Sequence, residues 1–278
     1  MNGEKKLSDL FDLQEQYQAL FADYRTRGIN RRLNPNDKEF IGVEPWRIPH
    51  YFDVGADALR LVITALSANL RAVPQAILDF PSGSGRVTRH LRAFFPQAHL
   101  VACDLYEGHI AFCRTHLGVE AVMSKEDLDA VSFGRSFDLI FCGSLLTHLP
   151  EAQCRSALRL IARSLSDVGI ALITLSGRHA DFIQKNLWKL IDDDLFVIAQ
   201  STVPTTGFGY VDYDHNFRKT FDKQARYGIT LTRPSWTMKQ LEADTSIRVL
   251  GYAERAWDDH QDVLIIGRPG INAMAPPG

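Results

Sequence analysis

The fold is decided by the stretch Ala76-Ile77-Leu78-Asp79-Phe80-Pro81-Ser82-Gly83-Ser84-Gly85-Arg86-Val87, in which a short apolar run ends in an acid and then turns through two glycines. The apolar run predicts a buried strand at 76–80, and the residues that follow predict a helix at about 85–95. Glycines let a ligand approach the backbone closely, and a helix N-terminus presents unpaired N–H groups. The stretch is therefore a candidate binding turn at the edge of a sheet.

On the C-terminal side of this stretch, short aliphatic runs continue to alternate with helical segments, which is the pattern of a mostly parallel sheet covered on both faces. The last two strands are separated only by 258–261, too short for a crossover helix, so they should form an antiparallel hairpin. We predict a doubly wound α/β fold with seven strands, at 76–80, 99–103, 119–123, 137–142, 169–175, 247–257 and 262–267. Helices are predicted at about 85–95, 107–116 and 151–165.

The chain is predicted to have an N-terminal helical cap at 1–72 and a main domain at 73–278. From Leu7 to Tyr24 apolar residues recur every three or four positions, and Val54 to Leu70 repeats this helical periodicity. The first helix should pack on the main domain, although pairing of two subunits into a homodimer explains its apolar stripe equally well. Between the fifth and sixth strands, residues 176–246 form an insert longer than a connection needs, which we interpret as a lid or acceptor pocket.

Composition argues against several classes of function. With 31 basic and 33 acidic residues the formal net charge is −2, so no long-range field would gather nucleic acid or an anionic membrane. The N-terminus has no apolar stretch of the kind a signal peptide needs, and no run suits a membrane span, so we expect a cytoplasmic protein. The four cysteines form no CxxC pair, and Asp212-Tyr213-Asp214-His215 lacks a recognised calcium or zinc spacing, so no metal site is predicted.

The glycine pattern separates two classes of nucleotide-binding protein. In the dinucleotide fingerprint GxGxxG the third glycine would fall on Thr88, which weakens a nicotinamide-dependent oxidoreductase as the interpretation. The chain resembles instead the class I S-adenosylmethionine-dependent methyltransferases, whose first motif is an acid followed by a glycine-rich turn. Asp79, Gly83 and Gly85 match this motif, and Pro81 in place of its first glycine resembles the bacterial branch with FPSGxGRV-type turns. The resemblance runs from about Ile77 to Arg268 and implies a Rossmann-like methyltransferase fold with S-adenosyl-L-methionine bound along Asp79 to Gly85, including Ser82.

A second acid, Asp104, follows the apolar strand that ends at Cys103. A carboxylate there can accept hydrogen bonds from both ribose hydroxyls of a nucleoside. The resemblance makes Asp104 the ribose ligand and places Leu105 and Tyr106 beside the adenine. The alternative is that Asp104 only caps the helix that starts near Glu107.

The resemblance assigns further cofactor contacts after the third and fourth strands. Ser124, which opens the segment 124–127, occupies the place that lines the adenine pocket in this family, although polar residues are equally normal in a solvated loop. The segment from Cys142 and Gly143 resembles the motif that lies along the methionine part of the cofactor. Upstream, Tyr51 or Arg47 would bind the cofactor carboxylate, with core packing of Trp46 and Tyr51 as the alternative.

His148 is the candidate catalytic residue. Its position in the loop after the fourth strand places it near the sulfonium, and an imidazole can remove a hydroxyl proton near neutral pH. The alternative is that His148 only forms hydrogen bonds that hold the loop. A hydroxyl acceptor needs such a base, whereas a neutral amine does not.

The acceptor side of the site is predicted to take a small or medium-sized molecule. The insert supplies flat aromatic side chains suited to a sugar or aromatic ring, of which we expect at least half to be core: Phe208, Tyr210, Tyr213, Tyr227 and Trp236. The prediction is methyl transfer to a hydroxyl of a saccharide or natural product. The rivals are the nicotinamide-dependent oxidoreductase and a nucleoside-binding partner subunit without turnover.

Overall fold

The computed structural model describes residues 3–37, 46–214 and 226–268. The chain divides into two compact units, one made of residues 1–123 with 137–141 and the other of 124–136 with 142–278. The predicted division between a cap at 1–72 and a main domain at 73–278 stays a prediction.

Seven of the described strands form one sheet, and two more form a separate hairpin. The strands are β1 (Ala76–Asp79), β2 (His99–Asp104), β3 (Glu120–Met123), β4 (Phe137–Cys142), β5 (Leu165–Leu175), β6 (Phe208–Asp212), β7 (Gly228–Thr232), β8 (Arg248–Trp257) and β9 (Gln261–Gly267). The large sheet has the order β3-β2-β1-β4-β5-β9-β8. Strands β1 to β4 pair in parallel, whereas β9 is antiparallel to both β5 and β8. The predicted seven-stranded, mostly parallel sheet with its C-terminal hairpin is confirmed.

The described helices flank these strands and also build the insert. They are α1 (Gly3–Arg27), α2 (Arg47–Ala68), α3 (Thr88–Phe94), α4 (Glu107–Phe112), α5 (Glu151–Ser164), α6 (His179–Asn186), α7 (Asp193–Ser201), α8 (Val203–Thr206) and α9 (Pro234–Glu242). A π-helical turn, Cys113–Leu117, continues α4. No helix in the described ranges is long and apolar enough to cross a membrane.

Burial on both faces explains the apolar strands of the sheet centre. Ile77 and Leu78 of β1 and Leu139 and Ile140 of β4 are all buried, because β1 lies between β2 and β4. The start of β5 differs from the prediction, which placed it at 169, because the exposed residues 167–168 at its beginning look like a loop in sequence.

Helix α1 packs on α3, as its apolar stripe predicts. Phe21 lies edge-on to Phe94 with ring centroids 5.1 Å apart, and Tyr17 stacks on the same ring at 6.4 Å. The Tyr24 hydroxyl lies 2.8 Å from Nδ1 of His90. These contacts account for the C-terminal part of the stripe, and pairing of two subunits through α1 stays a prediction.

The insert contains elements that the sequence analysis did not predict. Helices α6 to α8 and the β6–β7 hairpin share a small core, to which Leu190, Ile191, Val211 and Tyr213 also pack: Ala180, Phe196, Ala199, Val203, Ile229 and Leu231. Helices α6 and α7 span eight and nine residues, so their apolar periodicity covers barely two turns. The insert is thus a packed structure, and its role as a lid or acceptor pocket stays a prediction.

Candidate functional site

The turn after β1 is fixed by the main chains of its neighbouring strands. The Phe80 amide donates to the Phe141 carbonyl of β4 and the Ser82 amide to the Cys103 carbonyl of β2, each at 2.9 Å. Pro81 stands between them and offers no N–H of its own. The turn is therefore held in place by backbone bonds.

The two glycines of the turn serve different purposes. Gly85 has φ +83°, and a Cβ there would lie 2.2 Å from Cδ1 of Leu117 and 3.2 Å from Sγ of Cys113. Gly83 has φ +51°, and a Cβ there would meet nothing within 4 Å. Gly85 is needed for packing, whereas Gly83 exposes a left-handed backbone surface with room for a ligand.

Asp79, at the end of β1, links the turn to the start of α3. Its carboxylate is buried and accepts a 2.5 Å hydrogen bond from Oγ1 of Thr88, at the start of α3. Burial raises the pKa of Asp79 to about 7, an effect that the charge of Asp104 increases and the Thr88 hydrogen bond opposes. Thr88, at the position of the third glycine in a dinucleotide fingerprint, is therefore a structural partner of the motif acid.

Asp104 braces the turn from β2. One carboxylate oxygen accepts from the Gly83 amide at 2.9 Å, and the other accepts from the Tyr106 amide at 2.9 Å and lies 3.2 Å from Nδ1 of His109. The helix-capping alternative is correct only in part. The bond to Tyr106 lies at the start of α4, but the bond to Gly83 lies in the turn after β1. A carboxylate offers about four acceptor positions, so the two amide bonds and the His109 contact leave Asp104 about one position for a ribose hydroxyl beside Leu105.

Arg89 is a functional residue that the sequence analysis missed. Its guanidinium group is buried and donates to four main-chain carbonyls, those of Gly85 at 2.8 Å, Ser84 at 3.2 Å, and Asn30 and Arg32 at 2.8 Å each. One side chain thus ties the segment after α1 to the glycine turn. The signal in the sequence was weak, because an arginine in a short helix is usually a surface residue.

Further contacts join the same segment to the turn and to α2. Nδ2 of Asn34 donates to Oγ of Ser84 at 2.9 Å, and the Tyr51 hydroxyl donates to Oδ2 of Asp37 at 2.8 Å. Burial and the charge of Asp37 raise the pKa of Tyr51. Core packing therefore fits Tyr51 but is wrong for Trp46, which is 59% exposed.

The remaining predicted adenine contact lies in the second unit. Ser124 is buried, and its hydroxyl donates to the Lys125 carbonyl at 3.4 Å. Three residues further on, Asp127 accepts from the Asp129 amide at 3.0 Å and caps a short 3₁₀ turn. The segment is an ordered loop, and the adenine contact of Ser124 stays a prediction.

The loop after β4 is held by a closed ring of polar side chains. Ser144, two residues beyond the buried Cys142, adopts φ +54°. Its amide donates to Oγ1 of Thr174 at 2.8 Å, the Thr174 hydroxyl donates to Oε1 of Gln261 at 2.5 Å, and Nε2 of Gln261 donates to Oγ of Ser144 at 2.9 Å. The ring fixes the backbone at Gly143, the predicted neighbour of the cofactor's methionine part.

His148 is oriented by the insert. Its Nδ1 lies 2.9 Å from the Gly228 carbonyl and 3.2 Å from the Tyr213 hydroxyl, and its ring stacks on Tyr227 with centroids 4.8 Å apart. A carbonyl oxygen can only accept, so Nδ1 carries a proton, and in its neutral form the ring has its lone pair on Nε2. The Nδ1 bond thus helps to hold the loop, as the alternative states. Nε2 keeps the lone pair that a base requires.

The β7 strand of the insert also pairs with the loop after β4. The Gly228 amide donates to the His148 carbonyl at 3.0 Å, and the Thr230 amide donates to the Thr147 carbonyl at 2.9 Å. The Thr230 hydroxyl adds a 2.5 Å bond to the Leu149 carbonyl. The insert therefore sets the position of His148.

The insert aromatics divide between core and site. Phe208 and Trp236 are buried and contact each other at 4.8 Å, so they are core residues. Tyr227 contacts His148, and Tyr213 contacts both His148 and the insert core. The Tyr210 hydroxyl donates to Oδ1 of Asp212 at 2.6 Å.

The acidic segment at 212–215 is only partly described. Oδ2 of Asp212 accepts from Arg226 at 2.9 Å, while His215 lies outside the described residues. Across 3–37, 46–214 and 226–268, no three His, Cys, Asp or Glu side chains gather into a group that could hold a metal ion.

Comparison with known proteins identifies the class of domain. Residues 77–169, from β1 to the start of β5, match the family described as a methyltransferase domain. A malonyl-[acyl-carrier protein] O-methyltransferase of Bacillus cereus is 32% identical over 113 residues, which cover 38% of this chain and 41% of the relative. The chain thus spans about two fifths of the length of the curated relatives it matches.

Solved structures agree on the fold. An S-adenosylmethionine-dependent methyltransferase from Clostridium acetobutylicum superposes with a TM-score of 0.52 at 12% identity, over 80% of this chain and 98% of that chain. An amino pentose methyltransferase from Micromonospora echinaspora, solved with S-adenosylmethionine bound, gives a TM-score of 0.51 at 14% identity, over 82% and 98%. The predicted resemblance to class I methyltransferases is confirmed.

Proposed function

We propose that this chain is an S-adenosylmethionine-dependent methyltransferase that methylates a hydroxyl of a small or medium-sized saccharide or natural product. The methyltransferase domain at 77–169 and the class I fold support the reaction. The proposal for the acceptor rests on His148 and on the aromatic insert.

The residues of the turn fit the cofactor. Gly83 offers backbone surface without a side chain, and Asp104 keeps acceptor capacity for a ribose. Ser124 would line the adenine, and the backbone at Cys142 and Gly143 would follow the methionine part. When bound, S-adenosylmethionine supplies a sulfonium-activated methyl group, so the protein has chiefly to align donor and acceptor.

The observation that carries the acceptor chemistry is the bond from Nδ1 of His148 to the Gly228 carbonyl. It fixes the ring and assigns the lone pair to Nε2, which can accept the proton that a hydroxyl loses as its oxygen is methylated. Stacking on Tyr227 further restricts the ring's orientation.

Two relatives are compatible with this acceptor. The Bacillus cereus relative is an O-methyltransferase, and the Micromonospora echinaspora structure is an amino pentose methyltransferase. One name gives an oxygen as the methylated atom and the other a sugar as the acceptor. They support an oxygen as the atom and a sugar as the molecule to test first, while the choice of a hydroxyl rests on His148.

The cofactor is tested by calorimetry with S-adenosylmethionine and with NAD(H). We expect the former alone to bind, and Asp104→Asn to weaken binding at least tenfold because an amide offers only one acceptor oxygen. The matched control is Asp129→Asn, in an exposed acid that pairs with Arg159. Binding of NAD(H) instead would make the oxidoreductase the correct interpretation.

The base is tested with His148→Gln, against His99→Gln at an exposed position. Using an acceptor found by screening for methyl transfer, we expect His148→Gln to lower kcat about 100-fold or more, with unchanged cofactor affinity and partial recovery at high pH. Unchanged kcat would refute the base role. A protein that binds the cofactor but methylates no acceptor would support the partner-subunit alternative.

A further inference from the structure

Three segments of the second unit meet at the ends of β5 and β9, and each carries a histidine. The first is the loop after β4 with His148. The side chain of Gln261, at the start of β9, bonds to Ser144 and Thr174 and so fastens the tip of the β8–β9 hairpin to this loop. His260 is the residue immediately before Gln261.

The second segment is the loop between β5 and α6. Leu175 at the end of β5 is paired with Asp262 of β9. Beyond it, a Cβ on Gly177 would lie 1.8 Å from Oδ2 of Asp262, so the backbone passes directly against that carboxylate. His179 follows two residues later, at the start of α6.

The third segment is the hairpin tip itself. Asp258 and Asp259 adopt φ values of +53° and +50°, and the His260 amide donates to the Trp257 carbonyl at 3.0 Å. Two consecutive residues with positive φ form the tight turn that joins the strands of a two-residue hairpin, so they fix the backbone that carries His260. Burial, together with the nearby His148 and His179, lowers the pKa of His260 to about 4, so its ring is neutral at pH 7.

Trp188, which follows α6, lies with its large apolar ring against His260. Its indole ring lies edge-on to His260, with centroids 5.5 Å apart and an interplanar angle of 69°. The residue is 50% exposed. A half-exposed tryptophan against a mostly buried imidazole presents an apolar face with a polar rim.

Charged groups at this edge have partners of their own. Arg178 forms a bidentate pair with Glu254 at 2.7 Å. The Asp262 carboxylate accepts from the Tyr252 hydroxyl at 2.7 Å and from the Arg255 amide at 3.0 Å, and burial raises its pKa. The surface beside Trp188 is therefore better suited to a neutral ligand than to an anion.

We infer that Trp188 and His260 form an acceptor subsite for a saccharide ring, in which the indole stacks on the ring's C–H face and the imidazole hydrogen-bonds a hydroxyl. A neutral imidazole has one donor and one acceptor nitrogen, which matches hydroxyls that both donate and accept. As the acceptor side of the same reaction, the subsite rests on the proposed function. It would hold the sugar while His148 accepts the proton.

Indole NMR on the ¹⁵N-labelled protein loaded with S-adenosylhomocysteine tests this subsite. The chain has four tryptophans, so Trp188→Phe identifies the Trp188 signal by its loss. The probes are methyl glycosides of hexoses, 6-deoxyhexoses and pentoses, with catechol as a planar aromatic comparison. We expect glycosides to shift the Trp188 signal.

Matched variants decide whether the binding belongs to the subsite. Trp188→Ala and His260→Ala should weaken glycoside binding about five- to tenfold, the range expected for loss of one aromatic contact. Leu187→Ala, at an adjacent position that is 57% exposed, should leave it unchanged. A Trp188 signal that responds to catechol alone, or to no probe, overturns the saccharide assignment, as does full glycoside affinity in Trp188→Ala.

Glycoside binding and methyl transfer, measured on the same proteins, keep the two proposals apart. If Trp188→Ala binds glycosides as the wild type does, while methyl transfer is detected, the subsite fails and the methyltransferase stands. If glycosides bind at Trp188 but no methyl transfer is detected with any acceptor, the proposed function fails and the subsite stands.

Discussion

The turn after β1 and the loop after β4 follow neighbouring strands of the sheet but are stabilised in different ways. The turn after β1 is held by main-chain bonds from β2 and β4, by two left-handed glycines and by the guanidinium of Arg89. The loop after β4 is held by side chains of Thr174 and Gln261 and by strand β7 of the insert. The comparison shows that the turn after β1 combines main-chain bonds with a buried guanidinium from the adjacent helix α3, whereas the loop after β4 depends on side chains and a strand from far along the chain.

Removal of Arg89 should have the largest effect on the first turn. In Arg89→Ala, four main-chain carbonyls lose a charged donor in bonds of which two are buried and two part-buried, so we expect the free energy of unfolding to fall by about 3 to 5 kcal/mol. Urea unfolding measures this loss. Arg60→Ala, at an exposed ion pair, should change stability by less than about 0.5 kcal/mol. A small effect at Arg89 would mean that the backbone bonds alone hold the turn.

Substitution of Gly85 should mainly lower folding stability, whereas substitution of Gly83 should mainly weaken cofactor binding. Gly85→Ala should cost roughly 2 to 4 kcal/mol, because its Cβ would overlap Leu117 at a left-handed position. Gly83→Ala meets no neighbour and should cost only about 1 to 2 kcal/mol, yet weaken S-adenosylmethionine binding tenfold or more. Thermal unfolding and calorimetry on both variants test the contrast. Equal affinity in Gly83→Ala and wild type would contradict the proposed ligand surface.

Acidification should change the folding stability of the first unit through two buried groups whose effects have opposite signs. Burial lowers the pKa of His90 from 6.5 to about 4, so the folded state binds fewer protons than the unfolded state, and stability falls by about 3 kcal/mol as the pH drops through this range. The raised pKa of Asp79 acts oppositely, because its contribution is present at low pH and lost as the pH rises toward 7.

Single variants separate the two groups when urea unfolding is measured at pH 4.5, 5.5 and 7. Relative to wild type, His90→Gln should lose less stability on acidification, and Asp79→Asn should lose more. Parallel pH profiles for all three proteins would show that neither group titrates differently in the folded and unfolded states.

The polar ring after β4 should give the smallest stability effect. Thr174→Val keeps the shape but leaves the Ser144 amide and Oε1 of Gln261 without this partner, which costs about 1 to 2 kcal/mol. We also expect lower kcat, since the loop carries His148. Thr64→Val, on an exposed face of α2, is the control for the substitution itself. Unchanged kcat would show that β7 alone positions His148.

The sequence was a good guide wherever a feature is local. The strands β1 to β4, the glycine turn and the place of Asp104 at the end of β2 follow from short apolar runs and from residues next to them. It was a poor guide in the insert, where helices of two turns carry little periodic signal. Arg89 and Trp188 were missed because nothing near them in the chain shows that one is buried and that the other adjoins His260.

By itself, therefore, the sequence determined the class of sheet, the glycine turn after β1 and the candidate base, because each depends on residue types at short spacing. The tertiary structure alone decided the tautomer of His148 and the ring around Ser144. His148 meets Gly228 across 80 positions, and Ser144 meets Gln261 across 117. Contacts over such distances arise only when the strands pack, since no local propensity encodes the partner of a side chain so far along the chain.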